Sequence, residues 1–336
     1  MRRAFLDDIL RCPRCGGRFA WDANALTCEL CTAAYPVVDG IPVLLDDDSA
    51  GTVLDQLDYE AVMGIDDSVV REVEREWAAV IAALSLVPTR TLEIGAGTGV
   101  LTRAFLANRQ VEELVATDVS LPFLRTLADR LAAPEERLSF VVSDANRPHF
   151  REGSFDVVIG RSVLHHLLDY PDTLRQCFTV LQPGGAAVFY EPVLEGKTIT
   201  TLFMSLMLRA DEIAGGSERL TDAERSLIER QIRHQMKSTF LPQDRETLAR
   251  MEDKYIFTIE EMRALGREIG YRAVDFVNDA RDLPYWAYLT HACEVVGVSA
   301  ERVSRFRWIE DEFRATYGTV FPENLASPVG YFVFKR

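Results

Sequence analysis

The chain has 336 residues, 48% hydrophobic and 26% charged, a composition with ample material for a buried core. Acids outnumber Lys and Arg by 52 to 37, a net charge of −15, which opposes the broad basic face that phosphate contacts require. No apolar run reaches membrane-span length, and the amino-terminal stretch carries Asp7 and Asp8 where a signal peptide needs apolar residues. A cytoplasmic protein off the membrane is expected.

The first motif is Cys12-Pro13-Arg14-Cys15, followed after twelve residues by Cys28-Glu29-Leu30-Cys31. Two C-x2-C knuckles at this separation place four thiolates for a tetrahedral metal, zinc by ligand type. Four protein ligands leave no open position, so the role is structural. Two disulfides are the alternative, and a reducing cytoplasm opposes them. The ribbon is taken as residues 1–46. Cys177 and Cys293 lie in apolar helical patterns and are expected to be buried and inert.

An acidic, turn-rich stretch at 46–51 ends the ribbon. Residues 47–88 are linker and first helix. Tyr59 is assigned a packing role. Val69, Val73, Trp77, Val80, Ile81 and Leu84 recur at helical spacing over 68–86, predicting a helix that packs on the sheet beside the strand that follows.

That strand is 90–94. Gly95, Gly97 and Gly99 follow, and a helical pattern starts at Val100. Glycines suit a tight turn where backbone approaches a ligand, and the helix N-terminus behind them offers free N–H groups. A second strand, 111–117, ends at Asp118, 23 residues after Gly95. An acid in that place can accept both hydroxyls of a ribose. A third, 138–142, leads to Asp144 and Ala145. A fourth, 155–160, leads to Arg161 and then His165-His166. Helices are expected at 121–132 and 172–181. Pro183-Gly184-Gly185 turns into a fifth strand, 186–190, ending at Glu191. Alternating strands and helices mean a parallel sheet, whose ligands sit beyond the carboxyl ends of the strands.

Further on, Thr258 to Glu261 and Thr221 to Glu224 read as capping boxes opening helices. Strands are expected at 271–277 and 329–334. Two long insertions, 195–254 and 279–327, remain. Tyr285, Trp286, Phe306, Trp308 and Phe313 read as helix packing. Arg302, Arg305 and Arg307 form either a local basic patch or a solvated helix face.

Taken together, EIGAGTG (93–99), LVATDVS (114–120), VVSDA (141–145), FDVVIGRSVLHHL (155–167) and LQPGGAAVFYEP (181–192) resemble the class I S-adenosylmethionine-dependent methyltransferases, small-molecule branch, strongly over 89–192. A dinucleotide oxidoreductase would carry GxGxxG, whereas the sixth position here is Val100. The resemblance implies an α/β, Rossmann-like sheet over 89–336, behind an N-terminal zinc ribbon and with helical lid insertions. It places the last strand antiparallel, between 186–190 and 271–277. It also implies a cofactor site. Glu93, Gly95, Ala96, Gly97 and Gly99 form the loop toward the methionine part, and Asp118 with Val119 takes the ribose. Asp144 with Ala145 meets the adenine amino group, and Arg161 lies near the methionyl end.

His166 matches the histidine that recurs in this branch after the fourth strand. As base or acceptor-positioning residue it would serve methylation of a small, partly apolar molecule on oxygen; His165, Glu191 and His291 are further candidates. The insertions leave from the ligand side of the sheet, where they can roof the acceptor. The ribbon, with Tyr35 to Leu45, resembles small zinc-ribbon proteins that activate partner methyltransferases, which implies a protein partner. Ribosomal RNA guanine methyltransferases also carry such a ribbon, so an RNA methyltransferase is an alternative. A non-catalytic adaptor that only senses adenosylmethionine is another.

Overall fold

The computed structural model describes residues 3–45, 67–131, 135–147, 149–215, 219–240, 244–278, 284–318 and 326–336. The acidic linker at 46–51 and Tyr59 lie outside these residues. The chain divides into two units: Met1–Phe189 with Arg263–Asp275 and Phe332–Arg336, and Tyr190–Met262 with Phe276–Tyr331.

The first unit opens with α1 (Arg3–Ile9) and β1 (Phe19–Trp21), β2 (Ala25–Cys28), β3 (Ala34–Val38) and β4 (Ile41–Leu44). The nucleotide-fold elements follow: α2 (Asp67–Ala83), β5 (Arg90–Ile94), α3 (Val100–Leu106), β6 (Glu113–Asp118), α4 (Leu121–Arg130), β7 (Leu138–Ser143), β8 (Phe155–Arg161), α5 (Tyr170–Val180) and β9 (Leu181–Pro192). The last strands are β10 (Ala273–Asn278) and β11 (Val329–Lys335). The strand order is β1-β2-β3-β4-β7-β6-β5-β8-β9-β11-β10. β5 pairs parallel with both β6 and β8, so the order reverses beside β5, and the glycine loop leaves the sheet at that switch point. β6 is buried along its whole length, as a strand covered on both faces should be.

The last strand lies where the resemblance puts it. Arg272 at the start of β10 donates its N–H to Lys335 O at 2.8 Å, and Arg336 N donates to Gly185 O at 2.9 Å. Starts meet ends on both sides, so β11 runs antiparallel. β9 begins at Leu181, five residues before the expected strand, because α5 ends in an extended Leu181. The 68–86 helix forms as α2. Its Trp77 meets Phe105 of α3 edge-on at 5.4 Å, a helix–helix contact that the sequence did not specify.

The ribbon is part of the same sheet. β1 to β4 form an antiparallel ladder, and β4 then pairs parallel with β7, Val43 beside Val142 and Leu44 beside Ser143. On the other side, α1 buries Leu6 and Ile9 and sets Phe5 against Phe155.

The second unit contains α6 (Leu194–Ala214), α7 (Asp222–Phe240), α8 (Arg245–Arg250), the start of α9 (Ile259–Ile269), α10 (Pro284–Val295), α11 (Ala300–Ser304) and α12 (Trp308–Phe313). Phe203, Met207, Ile228, Leu289, Val303 and Phe306 share a core, the packing role expected of the insertions, but Trp308, also expected to pack, is exposed because it stands outside that core. Thr221 and Glu224 cap reciprocally, and Thr258 accepts from Glu261 N at 3.0 Å. Arg302 grips Glu224 through two bonds of 2.9 Å, holding that carboxyl down at about 2. Arg305 pairs with the fully buried Asp211. Arg302 and Arg305 are therefore engaged with acids of their own unit, and Arg307 is exposed.

Candidate active site

Gly95 and Gly99 have φ of 70° and 97°, in the left-handed region. A Cβ on Gly95 would sit 2.5 Å from Val163 Cγ2, and one on Gly99 2.1 Å from Leu127 Cδ1. Both positions need glycine for conformation and for space. Between them, Gly97 donates its N–H to Asp118 Oδ2 at 2.8 Å, and Ser120 N donates to Asp118 Oδ1 at 2.8 Å. Burial raises the Asp118 carboxyl above its ordinary value, and those N–H groups offset only part of the rise. Each oxygen keeps a second lone pair, which suits the two hydroxyls of a ribose. Val119 lies between the two anchors, half-buried.

Glu93, under the loop, is 1% exposed, and burial pushes its carboxyl up to about 8. Thr102 Oγ1 donates to its Oε2 at 2.6 Å. Ala96 N donates to Thr117 O at 2.9 Å and Thr117 Oγ1 to Glu93 O at 2.7 Å, which ties the loop to β6.

Asp144 and Ala145 are half-buried beyond the end of β7. Asp144 Oδ1 accepts from Asn146 N at 2.9 Å, and Asn146 Oδ1 accepts from Thr173 Oγ1 at 2.9 Å. The loop is a local turn, with Arg147 N donating to Asp144 O at 3.0 Å.

After β8 the chain turns sharply. Ser162 has φ of 53°, unusual for a residue with a side chain, and a 3-10 turn covers Leu164–His166. The turn brings the two imidazoles together, their centroids 4.0 Å apart and their planes tilted by 45°, with His165 buried and His166 half-buried. Arg161 Nη1 lies 3.6 Å from Glu76 Oε2 of α2. The first unit thus brings Gly95, Gly97, Gly99, Asp118, Asp144, Arg161, His165 and His166 to the carboxyl edge of one sheet. Glu191 and His291 belong to the second unit, Glu191 fully buried on β9 and His291 exposed on α10. A groove of about 770 Å³ lined by Trp77, Ile81, Val87 and Phe105 lies at the opposite, amino-terminal edge of the strands. It contains none of these residues, and strand direction is the better guide to the ligand edge.

In the ribbon, the sulfurs of Cys12, Cys15, Cys28 and Cys31 all lie within 4.8 Å of one another. Cys12 and Cys31 are 3.6 Å apart, and Cys15 and Cys28 3.4 Å. Four sulfurs at about 2.3 Å from one metal stand roughly 3.8 Å apart, so the set fits zinc. Backbone N–H groups of Cys31 and Leu30 hold the Cys28 thiol down at about 6, while burial raises Cys12 and contact with the Cys28 and Cys31 thiols raises Cys15. Cys177 and Cys293 are buried, and burial pushes both thiols up, Cys293 to about 12.

The sequence reading missed the ribbon's grip on the core. Phe5, Leu6, Ile9 and Leu10 stand at helical spacing and were the available signal for α1. Nothing local announced the β4–β7 ladder.

A parallel sheet with a glycine loop at its switch point, an acid closing the next strand and a second acid after β7 defines a Rossmann-like domain built for a nucleoside cofactor. Residues 92–189 match the family model described as a methyltransferase domain, and residues 3–40 the one described as Trm112p-like protein. Over these two stretches the chain is similar to a methyltransferase domain and, ahead of it, to a Trm112p-like protein. Fumosorinone synthetase of Cordyceps fumosorosea is 34% identical over 119 residues, 33% of this chain and 3% of that protein. Squalestatin hexaketide synthase of a Phoma species is 37% identical over 126 residues, 34% of this chain and 5% of that protein. The chain thus spans a few per cent of the length of these relatives. Among solved structures, the complex between the Haloferax volcanii Trm112 methyltransferase activator and a candidate methyltransferase is similar, with 16% identity, TM-score 0.45, and coverage of 84% of this chain and 99% of that one. Among the described residues no helix is long and apolar enough to cross a membrane.

Proposed function

We propose that this chain transfers the methyl group of S-adenosylmethionine to oxygen of a small, partly apolar metabolite in the cytoplasm. The observation that carries the cofactor reading is Asp118. It stands buried at the end of β6, two acceptor oxygens fixed by Gly97 and Ser120, with lone pairs left for a ribose. Gly95, Ala96, Gly97 and Gly99 bring backbone close to the methionyl part, over Glu93. Asp144 accepts from the adenine amino group beside Ala145, and Arg161 stands toward the methionyl end. S-adenosylmethionine supplies an electrophilic methyl on a sulfonium.

The chain's own contribution is positioning, exclusion of water and removal of one proton. His166 takes the proton of the acceptor hydroxyl as the new oxygen–carbon bond forms and the sulfur–carbon bond breaks. The proton then leaves to water. His165 packs on His166 and limits its ring orientation; Glu191 and His291 are the alternative bases.

The four ribbon cysteines hold a structural zinc on this reading, which fixes the knuckles and leaves no open ligand position. The ribbon's partner is the chain's own core: β4 spends its free edge on β7. RNA is disfavoured as substrate by the acidic balance and by the engagement of Arg302 and Arg305 with acids.

The test is incubation of the purified chain with methyl-labelled S-adenosylmethionine and a metabolite extract, read by mass spectrometry. Label is expected in small molecules bearing a new O-methyl group. Label confined to RNA or protein, or no transfer to any fraction, would contradict the proposal.

A further inference from the structure

The ribbon meets the loop that carries Asp144 at both ends, while β6 holds the other edge of β7 as far as Val142. At its near end, β4 runs beside β7, pairing Val43 with Val142 and Leu44 with Ser143, the residue just before Asp144. At its far end, Leu10 forms an antiparallel bridge with Phe150. Arg11 N donates to His149 O at 2.9 Å, and Arg151 N donates to Ile9 O at 2.7 Å. Asp8 and Arg151 add an ion pair at 2.7 Å. Only residues 144–148 lie between the two clamps, and Cys12, a thiol of the four-cysteine cluster, directly follows Arg11.

Two segments distant in sequence, 9–11 and 43–44, meet the core on either side of one loop. The four-cysteine cluster links those two segments to each other through the ribbon. Cys12 at the start and Cys28 and Cys31 before β3 and β4 converge on one point. A fold this small depends on its metal for order. The clamps hold through backbone pairings, so they fix the loop's path whatever the loop's side chains are. With both ends fixed, the loop has few conformations to lose when a ligand binds.

Resting on the methyltransferase reading above, we infer that the metal-ordered ribbon positions the Asp144 loop and thereby sets the chain's selectivity for the adenine ring of its cofactor. The ribbon is a positioning element. It acts through Asp144. Loss of the metal frees both clamps together, and the adenine contact is lost while the glycine loop and Asp118, held by β5 and β6, stay in place.

The experiment uses the full chain, metal-replete and metal-stripped under reducing conditions. Calorimetry compares S-adenosylhomocysteine with its inosyl analogue, which carries a carbonyl oxygen where adenine has its amino group. The replete chain is expected to prefer the adenosyl ligand by about 10-fold or more, as a hydrogen bond to a carboxylate would give. Stripping should collapse that preference toward unity while the inosyl affinity holds. Amide exchange should quicken at 144–151 and stay slow at 94–99. Should the stripped chain lose its overall fold, the metal-loaded Val43→Pro variant decides by the same ratio, since proline breaks the β4 ladder. A preference unchanged by stripping and by Val43→Pro overturns the inference and leaves the methyltransferase reading intact. Failure of the replete chain to bind either ligand overturns both.

Discussion

Gly97 donates its backbone N–H to the Asp118 carboxylate at 2.8 Å, which ties the glycine loop after β5 to the acid that closes β6. The two halves of the cofactor cradle are therefore one unit. Asp118 presents lone pairs to a ribose, and the bond that orients it also fixes the loop expected to meet the methionyl part. Backbone N–H groups on both carboxylate oxygens favour the ionised form against the cost of burial.

Glu93 makes stability depend on pH. Its carboxyl titrates at about 8 in the fold against 4.5 as a free side chain, because burial penalises the charge. Between those values the folded chain holds a proton that the unfolded chain has released. This contribution is complete below about pH 4.5 and is lost as pH rises toward 8. Glu93→Gln removes the titration. The melting temperature of the variant relative to wild type is expected to climb across that window, and a flat difference would contradict the assignment.

Gly99→Ala tests the loop's geometry. A Cβ there meets Leu127 and sits on a backbone with φ of 97°. Denaturant titration should show a loss of about 1–3 kcal/mol, the usual cost of overpacking. A variant as stable as wild type would mean that the loop is free to move away from α4.

Cys15→Ser tests the metal. One zinc per chain is expected in the wild type and far less in the variant, with a lower melting temperature. Structural zinc binding contributes on the order of 10 kcal/mol to small domains of this kind. Full zinc content with an unchanged melt in the variant would remove the metal from the account.

His166→Ala separates chemistry from binding. With the true acceptor, turnover should fall by about 10²-fold or more while calorimetric affinity for S-adenosylmethionine holds. Wild-type turnover would leave positioning as the main source of rate.

Much of this was legible in the residues because the signals are local. Gly95, Gly97 and Gly99 need positive φ or close approach, and only glycine supplies both cheaply. Asp118 closes an apolar strand at the spacing that a ribose contact needs, and the four cysteines stand at ligand spacing. The order of the last two strands followed from the family resemblance. Long-range pairing was not legible. The β4–β7 ladder joins residues about a hundred positions apart, and Ile41 to Leu44 reads equally well as the ribbon's own edge strand. Trp77 announced a helix face, but nothing in its spacing said that Phe105 would be the partner. Ser162, left-handed with φ of 53°, carries no signature in the sequence.

The most direct test of the account is calorimetric titration of S-adenosylmethionine into wild type and Asp118→Ala. One site per wild-type chain is expected, with affinity about 100-fold weaker in the variant, a loss of ~2.8 kcal/mol. Equal affinity in the two proteins, or no binding to the wild type, would contradict it.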